Sequence, residues 1–119
     1  MFITRQTISV TTDASGDFTQ NLAPVSGLLL KVRYVPAASD ALATGADLTI
    51  STDLGEDIVS HANIGTSAFT RLYRRLIAGI DGVESTTIFD YIPVENALTL
   101  TIANGGDTLS GTFYVYIGK

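Results

Sequence analysis

Two alternating patterns decide the fold within the stretch ALTLTIANGGDTLSGTFYVYIGK, residues 97–119. Apolar residues recur at every second position in two series: Leu98, Leu100 and Ile102, then Phe113, Val115 and Ile117. Alternation places every second side chain on one face, so each series predicts a strand with one buried face. Between them, the residues Asn-Gly-Gly-Asp at 104–107 reverse a chain at low cost. The stretch therefore predicts a β-hairpin, and because a lone hairpin is marginally stable, the hairpin should pair into a larger sheet.

The composition predicts one domain, residues 1–119, that contacts other proteins. Hydrophobic residues make up 45% of the 119 residues and charged residues 16%, with a mean hydropathy of +0.30. This is apolar for a domain of such length. Tyr114 and Tyr116 fall on the outward face of their strand, where an apolar contact with another copy or another protein would bury them.

Charge and cysteine content exclude several classes of function. The chain has 12 acidic and 7 basic residues, a net charge of -5, which argues against broad contact with a phosphate backbone. We therefore expect no nucleic-acid partner. The absence of cysteine excludes disulfides and thiolate metal sites. No apolar run approaches the roughly 20 residues of a membrane span, so no membrane partner is expected.

Short alternating segments along the chain predict an all-β domain with about seven or eight strands. In GLLLKVRYVP, residues 27–36, we expect the side chains of Leu28, Leu30, Val32 and Tyr34 to share the buried face, with Lys31 and Arg33 on the other. The strand count and the uneven loop lengths favour a single-domain β-sandwich of jelly-roll type. An immunoglobulin-like sandwich is the alternative, although its cysteine pair and tryptophan are missing.

Residues 62–88 allow two interpretations. Phe69, Leu72, Tyr73 and Leu76 have the spacing of an amphipathic helix, which predicts one or two helical turns. Glycines at 65, 79 and 82 fit a long structured loop equally well.

The residues that could carry chemistry are few, and we predict neither an enzyme nor a cofactor. His61 could act as a general base, but a single histidine near a strand end is more often a surface or half-buried polar residue. Asp53, Glu56 and Asp57 could bind a divalent cation such as Ca²⁺, but they lack a set ligand spacing, so a solvated hairpin turn is the better interpretation. We therefore predict no metal site.

Three arginines form the only basic cluster in the sequence: Arg71, Arg74 and Arg75. They could form a solvated surface. Alternatively they could bind an acidic neighbour, because guanidinium groups form bidentate pairs with carboxylates.

Four segments together resemble a family of small structural proteins of tailed bacteriophages, the head decoration or cement proteins: ISVTTDASGDFTQNL, GLLLKVRYVP, GADLTISTDLGEDI and FDYIPVENALTLTIANGGDTLSGTFYVYIG. The resemblance covers most of the chain and is weakest over 62–88. It rests on turn and strand signatures, such as the Thr-Asp-Ala-Ser-Gly-Asp turn at 12–17.

The resemblance implies a non-catalytic protein of the virion that lies on the outer surface of the capsid. It implies a dimer or trimer whose partner is the major capsid protein. The alternative is a tail or head-fibre module that binds host surface glycans, for which Tyr73, Tyr91, Tyr114 and Tyr116 are the candidate aromatic residues. The candidate interface residues are Met1, Phe2, Arg5, Arg71, Tyr73, Arg74, Arg75, Tyr114 and Tyr116.

Overall fold

The computed structural model of this chain describes residues 2–78, 82 and 84–119, with the backbone alone over 75–78 and 84–89. The described residues form ten strands: β1 (Ile3–Thr11), β2 (Phe18–Asn21), β3 (Gly27–Pro36), β4 (Asp47–Ser51), β5 (Asp57–His61), β6 (Phe69–Arg71), β7 (Arg74–Ala78), β8 (Glu84–Val94), β9 (Thr99–Ala103) and β10 (Ser110–Gly118). No helix capable of spanning a membrane occurs in this described part.

The strands build two antiparallel sheets packed as a sandwich. The larger sheet has the order β1-β10-β3-β8-β7, with β6 also paired to β3, and the smaller sheet has the order β2-β9-β4-β5. Without β6 and β7, each sheet has four strands and the chain passes repeatedly from one sheet to the other, which is the arrangement of a jelly roll. The predicted β-sandwich of jelly-roll type is thus confirmed.

The predicted hairpin over residues 97–119 is wrong. Its two strands form as expected, but β9 pairs with β2 and β4, whereas β10 pairs with β1 and β3 in the other sheet. The connection at 104–109 arches between the sheets, helped by positive φ at Asn104, Gly106 and Thr108. An arch lets the apolar faces of the two strands face each other across the core, whereas a hairpin would place both strands in one sheet.

The helical interpretation of residues 62–88 is also wrong. The segment contains β6 and β7, and the long β8 begins at Glu84, so the structure has ten strands where about seven or eight were expected. The side chain of Phe69 packs against the core, while that of Leu72 is 58% exposed. The helical spacing of these residues therefore arose without a helix, because pairing with β3 and β8 decides the backbone conformation.

The core lies between the two sheets and follows the predicted alternation in most strands. Leu98, Leu100, Ile102, Phe113, Val115 and Ile117 are all fully buried. Strand β3 departs from the prediction, because a bulge opposite Tyr116 and Ile117 changes the phase of its side chains. Leu29 is therefore buried in place of Leu28 and Leu30, which are half-buried, while Val32 and Tyr34 point inward as predicted.

Candidate protein-binding face

The outer surface of the larger sheet carries a pattern of cations and tyrosines. Strands β1, β10 and β3 lie side by side, and the side chains that do not enter the core point to solvent. Cross-strand register places Tyr114 beside Arg33, and Tyr116 between Arg5 and Lys31. We call these five residues the cation–tyrosine face: Arg5, Lys31, Arg33, Tyr114 and Tyr116.

The cations of this face lie over the tyrosine rings. The guanidinium carbons of Arg5 and Arg33 are 5.2 and 5.9 Å from the centroid of the Tyr114 ring. The Lys31 ammonium is 4.6 Å from the centroid of the Tyr116 ring. Each cation–π contact at an exposed site is worth about 0.5–1 kcal/mol. These contacts favour side-chain positions close to the rings before any partner binds.

A further pair extends the pattern across the same sheet. Arg74 on β7 is the register partner of Tyr91 on β8, with its guanidinium carbon 4.7 Å from the ring centroid and Nη2 3.3 Å from the hydroxyl. Ile92 and Val94 are buried, so alternation along β8 directs Tyr91 away from the core, to the same side as the cation–tyrosine face.

The charges of the protein are segregated. Strands β1, β3 and β10 carry Arg5, Lys31 and Arg33 and contain no acidic residue. Apart from Asp90, the carboxylates of the described side chains lie at or next to the loops and turns between strands: Asp13, Asp17, Asp40, Asp47 and Asp107 at one end of the sandwich, and Asp53, Glu56, Asp57 and Glu95 at the other. A net-acidic protein thus presents a cationic sheet face.

Of the interface residues predicted from sequence, Arg5, Tyr114 and Tyr116 come together on the cation–tyrosine face, and Arg74 lies on the same side. Phe2 directly precedes β1, and its backbone exchanges two hydrogen bonds with Lys119, of 3.1 and 2.8 Å. Its side chain is 84% exposed. Met1 and the Arg75 side chain lie outside the described parts of the chain.

The remaining predicted residues face elsewhere. Arg71 is the register partner of the buried Val32, and its guanidinium carbon is 5.6 Å from the centroid of the Phe69 ring. Tyr73 is half-buried, and its hydroxyl is 2.8 Å from Nδ1 of His61. Burial raises the pKa of Tyr73 to about 12, although the nearby Arg71 charge acts in the opposite direction. Arg71 and Arg74 of the predicted arginine cluster therefore do not share one surface.

The acidic segment 53–57 forms the turn between β4 and β5. The amide of Thr52 donates to the carbonyl of Glu56 at 2.8 Å, and Oδ2 of Asp53 accepts from the Asn96 side chain at 3.3 Å. Within the described residues, no group of three or more His, Asp or Glu side chains is placed to hold a metal ion.

Sequence reasoning missed Lys31 and Arg33 as members of a site, and it named Tyr91 only as a candidate aromatic residue for glycan binding. Alternation in β3 directs Lys31 and Arg33 outward, but no pattern in the sequence indicates that β10 is their neighbour. One signal was available in the sequence. Tyr114 and Tyr116 both point outward from β10, and exposed tyrosine rings attract cations from the neighbouring strands.

No family model and no curated protein sequence matches this chain. Solved structures show weak similarity. A crystal structure of FLHE aligns with 98% of both chains at 13% identity and a TM-score of 0.46. The structure of infectious bursal disease virus Gt strain aligns with 98% of this chain at 14% identity and a TM-score of 0.34, and the Gx strain with 96% at 12% identity and 0.25. The chain spans only 32% and 36% of those two viral chains, and similarity at this level assigns no function.

Proposed function

We propose that this protein is a capsid decoration protein of a bacteriophage, which binds the outer surface of the icosahedral head and stabilises contacts between capsid subunits. The cation–tyrosine face carries the proposal. Its partner is an acidic patch on the major capsid protein, and the protein performs no catalysis. The resemblance of the sequence to decoration proteins supports the choice of a capsid as the partner.

The face has the chemistry of a protein-binding surface. Tyrosine and arginine are enriched at interfaces, because each combines a large contact area with polar groups that can bond at the rim. The guanidinium groups of Arg5 and Arg33 can form bidentate hydrogen bonds with carboxylates. Their cation–π contacts with Tyr114 limit the side-chain entropy that binding would otherwise cost. An acidic protein surface is therefore the partner that this face fits best.

Binding of this kind would stabilise a shell by mass action. A protein that binds assembled subunits, and not free ones, lowers the free energy of the assembled state. Many copies, each with a modest interface, are then sufficient, and an oligomer that contacts several subunits gains effective concentration for each further contact.

The geometry favours a protein partner over host glycans. A sugar-binding site usually stacks its ligand on open aromatic ring faces. Here Arg5 and Arg33 already lie over the ring of Tyr114, and Lys31 over that of Tyr116. Glycan binding would have to displace these cations.

The test compares decoration of purified undecorated shells by the wild-type protein and by two charge-reversal variants. Arg33→Glu places a carboxylate in the cation–tyrosine face, and Arg71→Glu makes the same change on the other side of the sheet. Arg33→Glu should weaken shell binding by about tenfold or more, through like-charge repulsion. The matched control, Arg71→Glu, should bind as the wild type does. Bound wild-type protein should also raise the temperature at which the shells rupture.

One result would refute the decoration function, and another would refute the location of the contact on the cation–tyrosine face. Wild-type protein that binds no shells, or binds without changing the rupture temperature, would refute the decoration function. Weaker binding by Arg71→Glu together with normal binding by Arg33→Glu would move the contact to the opposite side of the sheet.

A further inference from the structure

Strand β1 forms a long open edge of the larger sheet. It pairs with β10 in an unbroken register from Ile3 to Thr11, and among the described residues no strand pairs with its other side. Phe2 and Lys119 exchange both of their backbone hydrogen bonds. Bonding alternates along an antiparallel pair, so the even-numbered residues of β1 bond to β10 and the odd-numbered residues direct their N–H and C=O groups outward. We call these groups, on Ile3, Arg5, Thr7, Ser9 and Thr11, the β1 edge.

The β1 edge lacks the features that usually prevent strands from pairing between molecules. Strand β1 has nine residues, no proline, no bulge and a single charge, Arg5. The edges of the smaller sheet differ: β2 has four residues, and β5 has five, begins with Asp57 and pairs across a register shift. Two adjacent apolar side chains extend from the start of β1, Phe2 at 84% and Ile3 at 62% exposure.

Strand β1 also contacts the segment that follows β2, through the side chain of Gln6. The side-chain amide of Gln6 both donates to the carbonyl of Ala23, at 3.1 Å, and accepts from its amide, at 2.9 Å. This contact joins β1 to the segment that follows β2 and uses no outward backbone group of the β1 edge. The edge itself remains available for pairing.

We propose that a second copy of this chain pairs with the β1 edge, antiparallel and about a twofold axis at Thr7, to form a dimer with one continuous sheet. Pairing centred on Thr7 overlaps the whole of β1, with Ile3 opposite Thr11 and Arg5 opposite Ser9 of the second copy. The outward N–H and C=O groups of one copy then face those of the second copy, and the two β1 strands exchange about ten backbone hydrogen bonds. A register centred on Arg5 would instead place two arginines opposite each other, which is unfavourable.

The dimer has a consequence for the cation–tyrosine face. A joined sheet places the faces of both copies side by side, with no acidic residue from β1, β3 or β10 between them. Two linked faces bind a repetitive surface more tightly than two separate ones. A joint made mainly of one strand pair is small for a protein interface, so the dimer should exchange rapidly, with a Kd in the micromolar range or above.

The first experiment measures self-association by sedimentation without shells, so its result is independent of the proposed function. The wild-type protein should form dimers at micromolar to submillimolar concentrations. Thr7→Pro removes an outward N–H and no bond to β10, and should weaken dimerisation by about tenfold or more. Thr7→Val keeps the N–H and is the matched control, which should dimerise as the wild type does.

A second pair of variants tests the register and does not depend on whether Thr7→Pro folds. Ser9→Glu places a carboxylate opposite Arg5 of the second copy and should tighten the dimer, whereas Ser9→Arg should weaken it. Hydrogen exchange adds a residue-level measurement. Amides of the β1 edge should become protected only as the dimer forms, while those of Thr4, Gln6 and Ile8 are protected at every concentration.

Three results would overturn the proposal: a monomer at all concentrations, a dimer unaffected by folded Thr7→Pro, or a change of the same sign in both Ser9 variants. If the dimer fails these tests while the wild-type protein still decorates shells, the edge pairing is refuted and the proposed function stands.

Discussion

Replacing Gly111 with alanine should destabilise the sandwich by about 2 kcal/mol. Gly111 lies on β10, and a Cβ built on it would lie 2.5 Å from Cε1 of Tyr34 and 3.2 Å from its Cζ and Oη. The Tyr34 ring has little freedom to move, because it is fully buried, stacks on Phe113 at 4.8 Å between centroids and lies 5.6 Å from Phe69. Overpacking of this kind costs about 1–3 kcal/mol. The loss of glycine entropy from the unfolded chain returns only about 0.4–1 kcal/mol, so the collision decides the sign.

Urea denaturation followed by far-UV circular dichroism measures this change. Gly45→Ala is the matched control, because a Cβ there would meet only Oδ1 of Asn63, at 3.8 Å, and Gly45 has no positive φ. The control should stay within about 0.5 kcal/mol of the wild type. If Gly111→Ala were as stable as Gly45→Ala, the close packing of Tyr34 against β10 would be incorrect.

Two further predictions concern the hydroxyl groups of Tyr34 and Tyr73. Tyr34→Phe should leave stability unchanged or raise it by up to about 1 kcal/mol in the same denaturation assay, because the Tyr34 hydroxyl is buried and the nearby backbone of Leu42 makes no hydrogen bond of standard geometry with it. A clear loss of stability would mean that the contact with Leu42 is a stabilising hydrogen bond. Tyr73 has a pKa raised by burial from 10.0 to about 12, so its contribution to stability should be full below pH 10 and be lost as the pH rises towards 12. Thermal unfolding of Tyr73→Phe over this range should show a smaller alkaline loss than the wild type, and equal losses would contradict the assignment.

The alternating strands were predictable because burial on one face leaves a direct mark on the sequence. Ile8 and Val10, like Leu100 and Ile102, recur at every second position, and all four are buried. The partner of each strand leaves no such mark. The pattern of residues 97–119 suits a hairpin and an arch equally well, since both bury the same side chains, and only the packing of two sheets decides between them.

The candidate site was predictable only in part, for the same reason. Arg5, Tyr114 and Tyr116 could be named because alternation directs them outward. Lys31 and Arg33 belong with them only because β10 lies between β1 and β3, and strand order cannot be derived from one strand's pattern. The arginines at 71–75 show the converse, that neighbours in sequence need not share a face. Arg71 ends β6 and Arg74 begins β7, and because the two strands pair with different partners, Arg71 and Arg74 lie on different sides of the sheet.

The distribution of charge is compatible with the acidic partner proposed above, although the protein has a net charge of -5. A strand rises about 3.3 Å per residue, and the cation–tyrosine face is centred between the levels of Arg5 and Thr7, so the two ends of β1 lie about 10 and 17 Å from its centre. The Debye length at physiological ionic strength is about 8 Å. A partner docked on the centre of the face therefore interacts mainly with Arg5, Lys31 and Arg33, while the carboxylates at the ends are largely screened from it. Contact at either end brings the partner close to those carboxylates and is repelled, so the same charge distribution that permits docking on the sheet also sets the orientation of the bound protein.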